Sequence, residues 1–455
     1  MIDFTIKQVV DAVDASGYQH VDMNKCIDGV TIDSRNVDQN NLFVPLIGAR
    51  VNGHDFVVNT IQKGAAVSFW QEDQPNPPAG MPLIFVKDCL IALQQLAKAY
   101  RNTLDCTFIG ITGSSGKTST KDIVASVCAV GYDTQKTFGN RNNEVGLPLT
   151  ILQIRRNTQV AVIEMGISDF KEMRALTEIV QPHVGIITSI SESHIDNFKT
   201  LEHIVEEKYR ISECLQENGF LLYNADTPML HEYALKHPVP QKTYAYGKDV
   251  SYPAKILDYN VSTGGLYFTT NIYDKEFYLP MLGVHQIYNA MSALLVGKLL
   301  DLSAEEIQEG FNHLDLTGKR NEVKKIRECV VIDDTYNANP SSMVASLETL
   351  SNYPVDVQKI AVLGDMFGLG EQSAPLHQQL GRDYHFNNIH ELWVVGDYTM
   401  LLADEVEKRN LPITVRRYAD KEELYRALKA QTNTMCLILV KASRGMLLDE
   451  LITKL

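Results

Sequence analysis

The chain has 455 residues, of which 45% are hydrophobic and 22% charged, and it carries a formal net charge of −14. That length exceeds one ordinary core and suggests about three domains, while the composition is that of a soluble globular protein. The acidic balance argues against a nucleic-acid or anionic-membrane surface, so an anionic substrate has to be held by local clusters of charge.

Short apolar runs alternate with helical patterns almost throughout, the signature of α/β architecture. In the first hundred residues the strand-like pieces are Gly29–Ile32, Leu42–Leu46, Ala65–Phe69 and Leu83–Val86, followed by a helix over Cys89–Arg101. The middle section carries strands at Cys106–Ile111, Val160–Ile163, Val184–Ile190 and Gly219–Tyr223. A helix is predicted over Leu201–Leu215, a β-rich patch around Leu266–Leu279 and a helix over Gln286–Leu300. The last third repeats strand then helix, with strands at Cys329–Ile332, Ile360–Leu363, Leu392–Val395 and Leu437–Val440. Boundaries are expected near residue 104 and near Leu316-Thr317-Gly318, giving domains 1–104, 105–317 and 318–455. Seven scattered cysteines without a C-x-x-C pair read as buried free thiols of a reducing compartment. The N-terminus lacks the apolar core of a signal peptide, and no run reaches the roughly 18 apolar residues of a membrane span. The expectation is a cytoplasmic protein.

The most informative segment is Phe108-Ile109-Gly110-Ile111-Thr112-Gly113-Ser114-Ser115-Gly116-Lys117-Thr118-Ser119-Thr120. An apolar strand breaks into small residues and a helix begins at about Lys117. Backbone amides and a helix N-terminus then face an anion, Lys117 neutralises charge, and the Thr118 hydroxyl can bind Mg²⁺. The strict G-x-x-x-x-G-K-[ST] pattern is not met, because Ile111 stands at its first glycine and Gly113 supplies the turn.

In open α/β sheets ligands collect beyond the carboxyl ends of the strands. Glu164 closes Val160–Ile163 and suits Mg²⁺ directly or through water, against the alternative of a surface carboxylate entering a turn. His194 follows Val184–Ile190, and its position fits a structural hydrogen bond as well as a ligand. Lys208 occupies the apolar stripe formed by residues 201, 204, 205, 211 and 215. A lysine there must snorkel, pair or be modified, and the residues by themselves favour snorkelling at the rim. Asp333, Asp334, Asn337 and Asn339 follow the Cys329 strand, while Lys441, Ser443 and Arg444 end the Leu437 strand. Part of that polarity is helix-capping chemistry, but together it looks like a second substrate shelf.

These residues together resemble the Mur ligases, ATP-dependent amide-forming enzymes of peptidoglycan assembly, across all three domains. Asp33-Ser34-Arg35, Asn41–Leu46 and Asn52–Phe56 resemble their UDP-sugar domain. The Gly113–Lys117 loop resembles the Mur phosphate loop with its shifted glycine. Gly139–Pro148, Glu164-Met165-Gly166 and, above all, Val331–Met343 resemble the branch that adds D-alanyl-D-alanine, with support from Val362–Met366 and Lys441–Met446. Gln286, Ala442 and Asn52 depart from the usual asparagine, glycine and aspartate, and none removes a group the chemistry requires.

The resemblance implies a three-domain fold: an N-terminal UDP-sugar-binding α/β domain, a central P-loop-type ATP-binding α/β domain and a C-terminal Rossmann-like α/β domain. It also implies ATP, Mg²⁺ as two ions, and the substrates UDP-N-acetylmuramoyl-tripeptide and D-alanyl-D-alanine, handled by a monomer. Gly113, Ser114, Ser115, Gly116, Lys117, Thr118 and Ser119 would hold phosphate, with Asn289 near adenine and Arg320 and Asp334 reaching phosphate and ribose. Thr118, Glu164, His194 and Lys208 would form the metal side, Lys208 matching a lysine that many Mur ligases carbamylate. Ser34, Arg35, Asn142, Asn143, Tyr336, Asn337, Asn339, Ser443 and Arg444 would contact the other substrates. Rival readings are another amino-acid-adding ligase, against which the Asp333–Met343 run argues, and a non-catalytic ATP-driven switch.

Overall fold

The computed structural model describes residues 1–318 and 322–455, which form three sheets. The first has five short strands, the longest being Val67–Gln71, and its two strands Val67–Gln71 and Leu83–Val86 are parallel neighbours. The helix Cys89–Arg101 packs on it through Cys89, Ala92, Leu93, Leu96, Ala97 and Tyr100, the 3–4 spacing of one buried face. Asp88 starts this helix by accepting from the amides of Leu90 and Ile91.

The central sheet has nine strands, and its parallel part runs Ala254–Val261, Lys242–Gly247, Phe220–Asn224, Val184–Ile187, Thr107–Thr112, Val160–Glu164, Thr134–Lys136. Val160–Glu164 and Val184–Ile187 are buried along their whole length, as expected of strands covered on both faces. They flank Thr107–Thr112 on opposite sides, so the strand order reverses at the carboxyl end of that strand. This is the switch point where open α/β sheets bind ligands. Leu266–Thr270 and Glu276–Leu279 extend the far edge as antiparallel strands.

The third sheet places Glu322–Ile326 antiparallel to Cys329–Asp334, then continues in parallel through Cys436–Lys441, Gln358–Gly364, Glu391–Val395 and Thr414–Tyr418. The three-sheet α/β architecture is the one expected from the sequence.

Several local readings change. The helix predicted over Leu201–Leu215 is α-helical only through Tyr209 and then tightens into a 3-10 turn over Arg210–Cys214. The Thr177 hydroxyl takes the carbonyl of Ile211 at 3.2 Å, a carbonyl that a longer helix would need for itself. The strand predicted to Ile190 ends at Ile187, because Thr188 and Ser189 turn away to the phosphate loop. Five cysteines are buried free thiols, whereas Cys26 is exposed and Cys214 half-buried. No helix among the described residues is long and apolar enough to cross a membrane.

Candidate active site

The strand Thr107–Thr112 delivers the loop Gly113–Gly116 directly into the helix Lys117–Gly131. Two backbone positions decide the loop's shape. Gly113 has φ +148° and a Cβ there would lie 2.0 Å from the Thr188 hydroxyl; Gly116 has φ +84° and a Cβ would lie 2.7 Å from Asn289 Oδ1. Neither site tolerates a side chain. The neighbouring strand end then fixes the loop. Ser114 N donates to Ser189 O at 2.8 Å, Ser115 N to Ser189 Oγ at 3.1 Å, and the Thr188 hydroxyl to Ser115 O at 2.5 Å. Ser114 Oγ also donates to Ser191 O at 3.0 Å. Lys117 folds back over the loop, with Nζ 2.6 Å from Gly113 O. Ser119 and Thr120 are buried on the same helix, and Thr120 Oγ donates to Asn289 Oδ1 at 3.0 Å. Asn289 in turn donates to Gln286 Oε1 at 2.8 Å, so the non-standard glutamine is part of this buried network.

Glu164 is 2% exposed and stands at the end of the adjacent strand. Thr118 Oγ donates to its Oε2 at 2.9 Å and Asn142 Nδ2 to its Oε1 at 2.8 Å. A carboxylate beside a hydroxyl is a pair of hard oxygen donors. That set fits Mg²⁺, which takes one or two carboxylates and completes its octahedron with phosphate and water. Among the described residues no three His, Cys, Asp or Glu side chains form a cage, and Mg²⁺ at a phosphate site needs none. Asn143 serves its own backbone instead, accepting from Gly146 N at 2.9 Å as the next helix begins.

His194 sits at a left-handed turn (φ +59°) before the short helix Ile195–Phe198. Its surface is open, yet the ring is crowded: partial burial, then the Lys117 and Lys208 charges, lower its pKa. The phosphate-loop lysine, His194 and Lys208 therefore share one neighbourhood. Lys208 is 1% exposed, which overturns the rim-snorkelling reading. Burial and then Lys117 drive its pKa well below the ordinary lysine value, opposed by Glu207 and Glu172.

The third domain reaches the loop through Asn339. This residue caps the helix Pro340–Asn352, accepting from Ser342 N at 2.8 Å, and donates through Nδ2 to Ser115 Oγ at 3.0 Å and Ser193 Oγ at 2.6 Å. Asp334 accepts from Lys441 Nζ and Ser346 Oγ, each at 2.6 Å. Ser443 is buried and accepts from Phe367 N at 2.8 Å, while exposed Arg444 lies 5.5 Å over the Tyr336 ring. Asn337 is exposed and, among the described residues, lends its carbonyl to Lys441 at 3.1 Å. Arg320 lies outside the described residues. In the first domain the Arg35 side chain projects into solvent and makes two bonds to Asp33, at 2.8 and 2.9 Å, and Ser34 lends its carbonyl to Lys63. These two are not in contact with the cradle among the described residues.

The sequence reading missed Thr188, Ser189 and Ser191, whose polarity just past a strand end was the available signal. It also missed Lys121.

Residues 26–101 match the Mur ligase family catalytic domain, 111–297 the Mur ligase middle domain, and 319–444 the Mur ligase glutamate ligase domain. The UDP-N-acetylmuramoyl-tripeptide–D-alanyl-D-alanine ligase of Bacillus subtilis strain 168 is 36% identical over 456 aligned residues, covering 100% of this chain and 99% of that protein. The chain belongs to the Mur ligase family. MurF from Acinetobacter baumannii superposes with a TM-score of 0.89 at 26% identity, covering 99% of this chain and 98% of that one. The MurF ligase from Thermotoga maritima, solved in complex with ADP, gives a TM-score of 0.80 at 26% identity over 94% of this chain and 98% of that one.

Proposed function

We propose that this Mur ligase uses ATP to join D-alanyl-D-alanine to UDP-N-acetylmuramoyl-tripeptide, forming the pentapeptide precursor of peptidoglycan. The observation that carries the reading is the full-length similarity to the Bacillus subtilis ligase, in a chain whose phosphate loop is touched by a third-domain residue. A carboxylate is a poor electrophile with a poor leaving group. ATP corrects both by phosphorylating the terminal carboxylate of the tripeptide. The amine of D-alanyl-D-alanine then attacks the acyl phosphate, and the tetrahedral intermediate expels phosphate.

In this reading Gly113–Ser119 hold the phosphates, and Lys117 leaves Gly113 O to offset charge on the transferred phosphoryl group. Thr118 and Glu164 would hold one Mg²⁺. His194 and a carbamylated Lys208 would serve a second, since CO₂ reacts with a neutral amine and the burial of Lys208 favours that form. Mg²⁺ supplies charge neutralisation when bound. Asn142 keeps Glu164 oriented. Asn289 would face adenine, and Asp334 with Arg320 would reach the nucleotide from the third domain. Ser34 and Arg35 would meet the UDP-sugar, with Asn143, Tyr336, Asn337, Asn339, Ser443 and Arg444 on the peptide side. The domains would be 1–104, 105–317 and 318–455, in a monomer acting in the cytoplasm.

The test is phosphate release with each substrate omitted in turn. Release that requires ATP, the UDP-tripeptide and the dipeptide together, with the pentapeptide found by mass spectrometry, is the expected result. Release without the dipeptide, or an amino acid accepted in its place, would refute it.

A further inference from the structure

The strap from the central to the third domain is clasped to the cradle helix just before it crosses. Asp122, 1% exposed on that helix, accepts from Thr317 N at 2.6 Å and Thr317 Oγ at 2.9 Å. Lys136 Nζ donates to Asp122 at 2.9 Å and pairs with Asp315 at 3.0 Å, and Asp315 N donates to Ser126 Oγ at 3.1 Å. Beyond Thr317 the chain turns at Gly318, with φ +79°.

Lys121 joins this clasp to the cradle. It is 0% exposed, and its Nζ lies 3.3 Å from Thr317 Oγ, 3.4 Å from Asp122 Oδ1 and 3.9 Å from Glu164 Oε2. Lys136 is partly open to solvent and bound tightly to Asp122. Lys121 is enclosed and held loosely by three acceptors, two of them carboxylate oxygens from different elements, at 3.4 and 3.9 Å. An ammonium has three donors and no fixed direction. Inside a protein, a shift of charge at one carboxylate is strongly felt at the other. We propose that Lys121 is a positioning residue that couples Glu164 in the nucleotide cradle to the Asp122–Thr317 clasp, and so sets the pivot of the third domain when nucleotide binds. This rests on the reading above that Glu164 and Thr118 meet the Mg²⁺-nucleotide. Thr118 already donates to the Glu164 oxygen that Lys121 faces. Any cation drawing that carboxylate changes how Lys121 divides itself between Glu164 and the clasp.

Hydrogen exchange of the Thr317 amide, with and without Mg²⁺-ADP, tests this beside ADP affinity and ligase turnover. In the parent protein Mg²⁺-ADP should slow exchange at Thr317. Lys121→Met should bind ADP within about threefold of the parent yet lose that protection, with kcat down roughly tenfold and the KM for ATP little changed, a size ordinary for coupling between sites. Thr317→Val, which spares Lys121 and Glu164, should show the same loss. The double variant should be no worse than either single one. Parent-like protection in Lys121→Met overturns the proposal, as does a parent that binds ADP without protecting Thr317. Should Lys121→Met fail to fold, Thr317→Val decides by the same readings: parent-like kcat overturns the proposal. A parent that does not bind Mg²⁺-ADP, or makes no pentapeptide, strikes the functional reading instead.

Discussion

Besides the peptide-side place proposed for it, Asn339 carries two separable structural duties, and two substitutions should divide them. Its Oδ1 caps the helix Pro340–Asn352, while its Nδ2 donates across the domain boundary to Ser115 and Ser193. Serine caps a helix about as well as asparagine but is too short to span to either hydroxyl; alanine does neither. Asn339→Ser should therefore keep the thermal midpoint of the third domain, and Asn339→Ala should lose about 1 kcal/mol. Both should lose two cross-domain hydrogen bonds worth about 0.5–1.5 kcal/mol each, which moves the closed-to-open ratio by roughly 5- to 150-fold. The assay is kcat/KM for the UDP-tripeptide beside small-angle scattering with an ATP analogue bound. A roughly tenfold loss of kcat/KM with a larger radius of gyration is expected for both variants. Asn339→Ser with parent-like kcat/KM and radius would show that the bridge does not hold the domains. Equal loss of stability in the two variants would show that the cap is not what Ser342 N reports.

Three further outcomes follow from the site. Lys117→Ala should keep the fold and lose at least roughly a hundredfold in kcat, the scale of one transition-state electrostatic donor, measured by phosphate release with a thermal melt as control. Lys208→Ala should lose most activity and regain some with short-chain carboxylic acids, while Lys208→Arg should stay inactive; turnover of Lys208→Arg like the parent's would remove the carbamate. Burial lowers the His285 pKa to about 4. The unfolded chain then takes up a proton there near pH 6.5 that the folded chain refuses, so stability should fall as pH drops from about 6.5 to about 4, by at most about 3 kcal/mol. Denaturant titrations of the parent and His285→Gln should show that slope shrinking in the variant.

What the sequence disclosed was local, and what it concealed was brought from far along the chain. The helix Cys89–Arg101 is read to the residue, because Asp88 and an apolar stripe mark it within a few positions. The cradle is legible for the same reason: strand, small residues, lysine and helix are contiguous. The groups that hold the loop in shape, Thr188 to Ser191, lie more than seventy positions on, as the 73–77-residue separations of their bonds show. No local pattern announces such a partner. Lys121 reads as an ordinary charged position until the strap at 315–317 folds back over it. Asn339 is half legible: the polar run around Pro340 signals a cap, although Ser341 and Ser342 are the residues it suggests and Asn339 is the one that fills it, while the bridge to Ser115 spans 224 residues. Periodicity singles out Lys208 but leaves rim snorkelling open, since it gives a face and not the depth at which that face is buried.

The contacts between the second and third domains also bear on how the enzyme could move. Besides the Asn339 bridge, the Tyr353 hydroxyl donates to Thr263 O at 3.0 Å, and Leu282 and Ile195 of the central domain pack against the third domain's core. Among the described residues the short helix Ile195–Phe198 also packs on the turn Gly370–Gln372. Each bond contributes about 1 kcal/mol, and such interfaces within a chain permit relative domain motion. A nucleotide held by Lys117 and Thr118 on one side and reached by Asp334 on the other would add contacts only in the closed form. A differential of a few kcal/mol is then enough to shift the population decisively. A larger apolar interface would hold the two domains together more tightly, so the polarity of this one leaves room for such a shift.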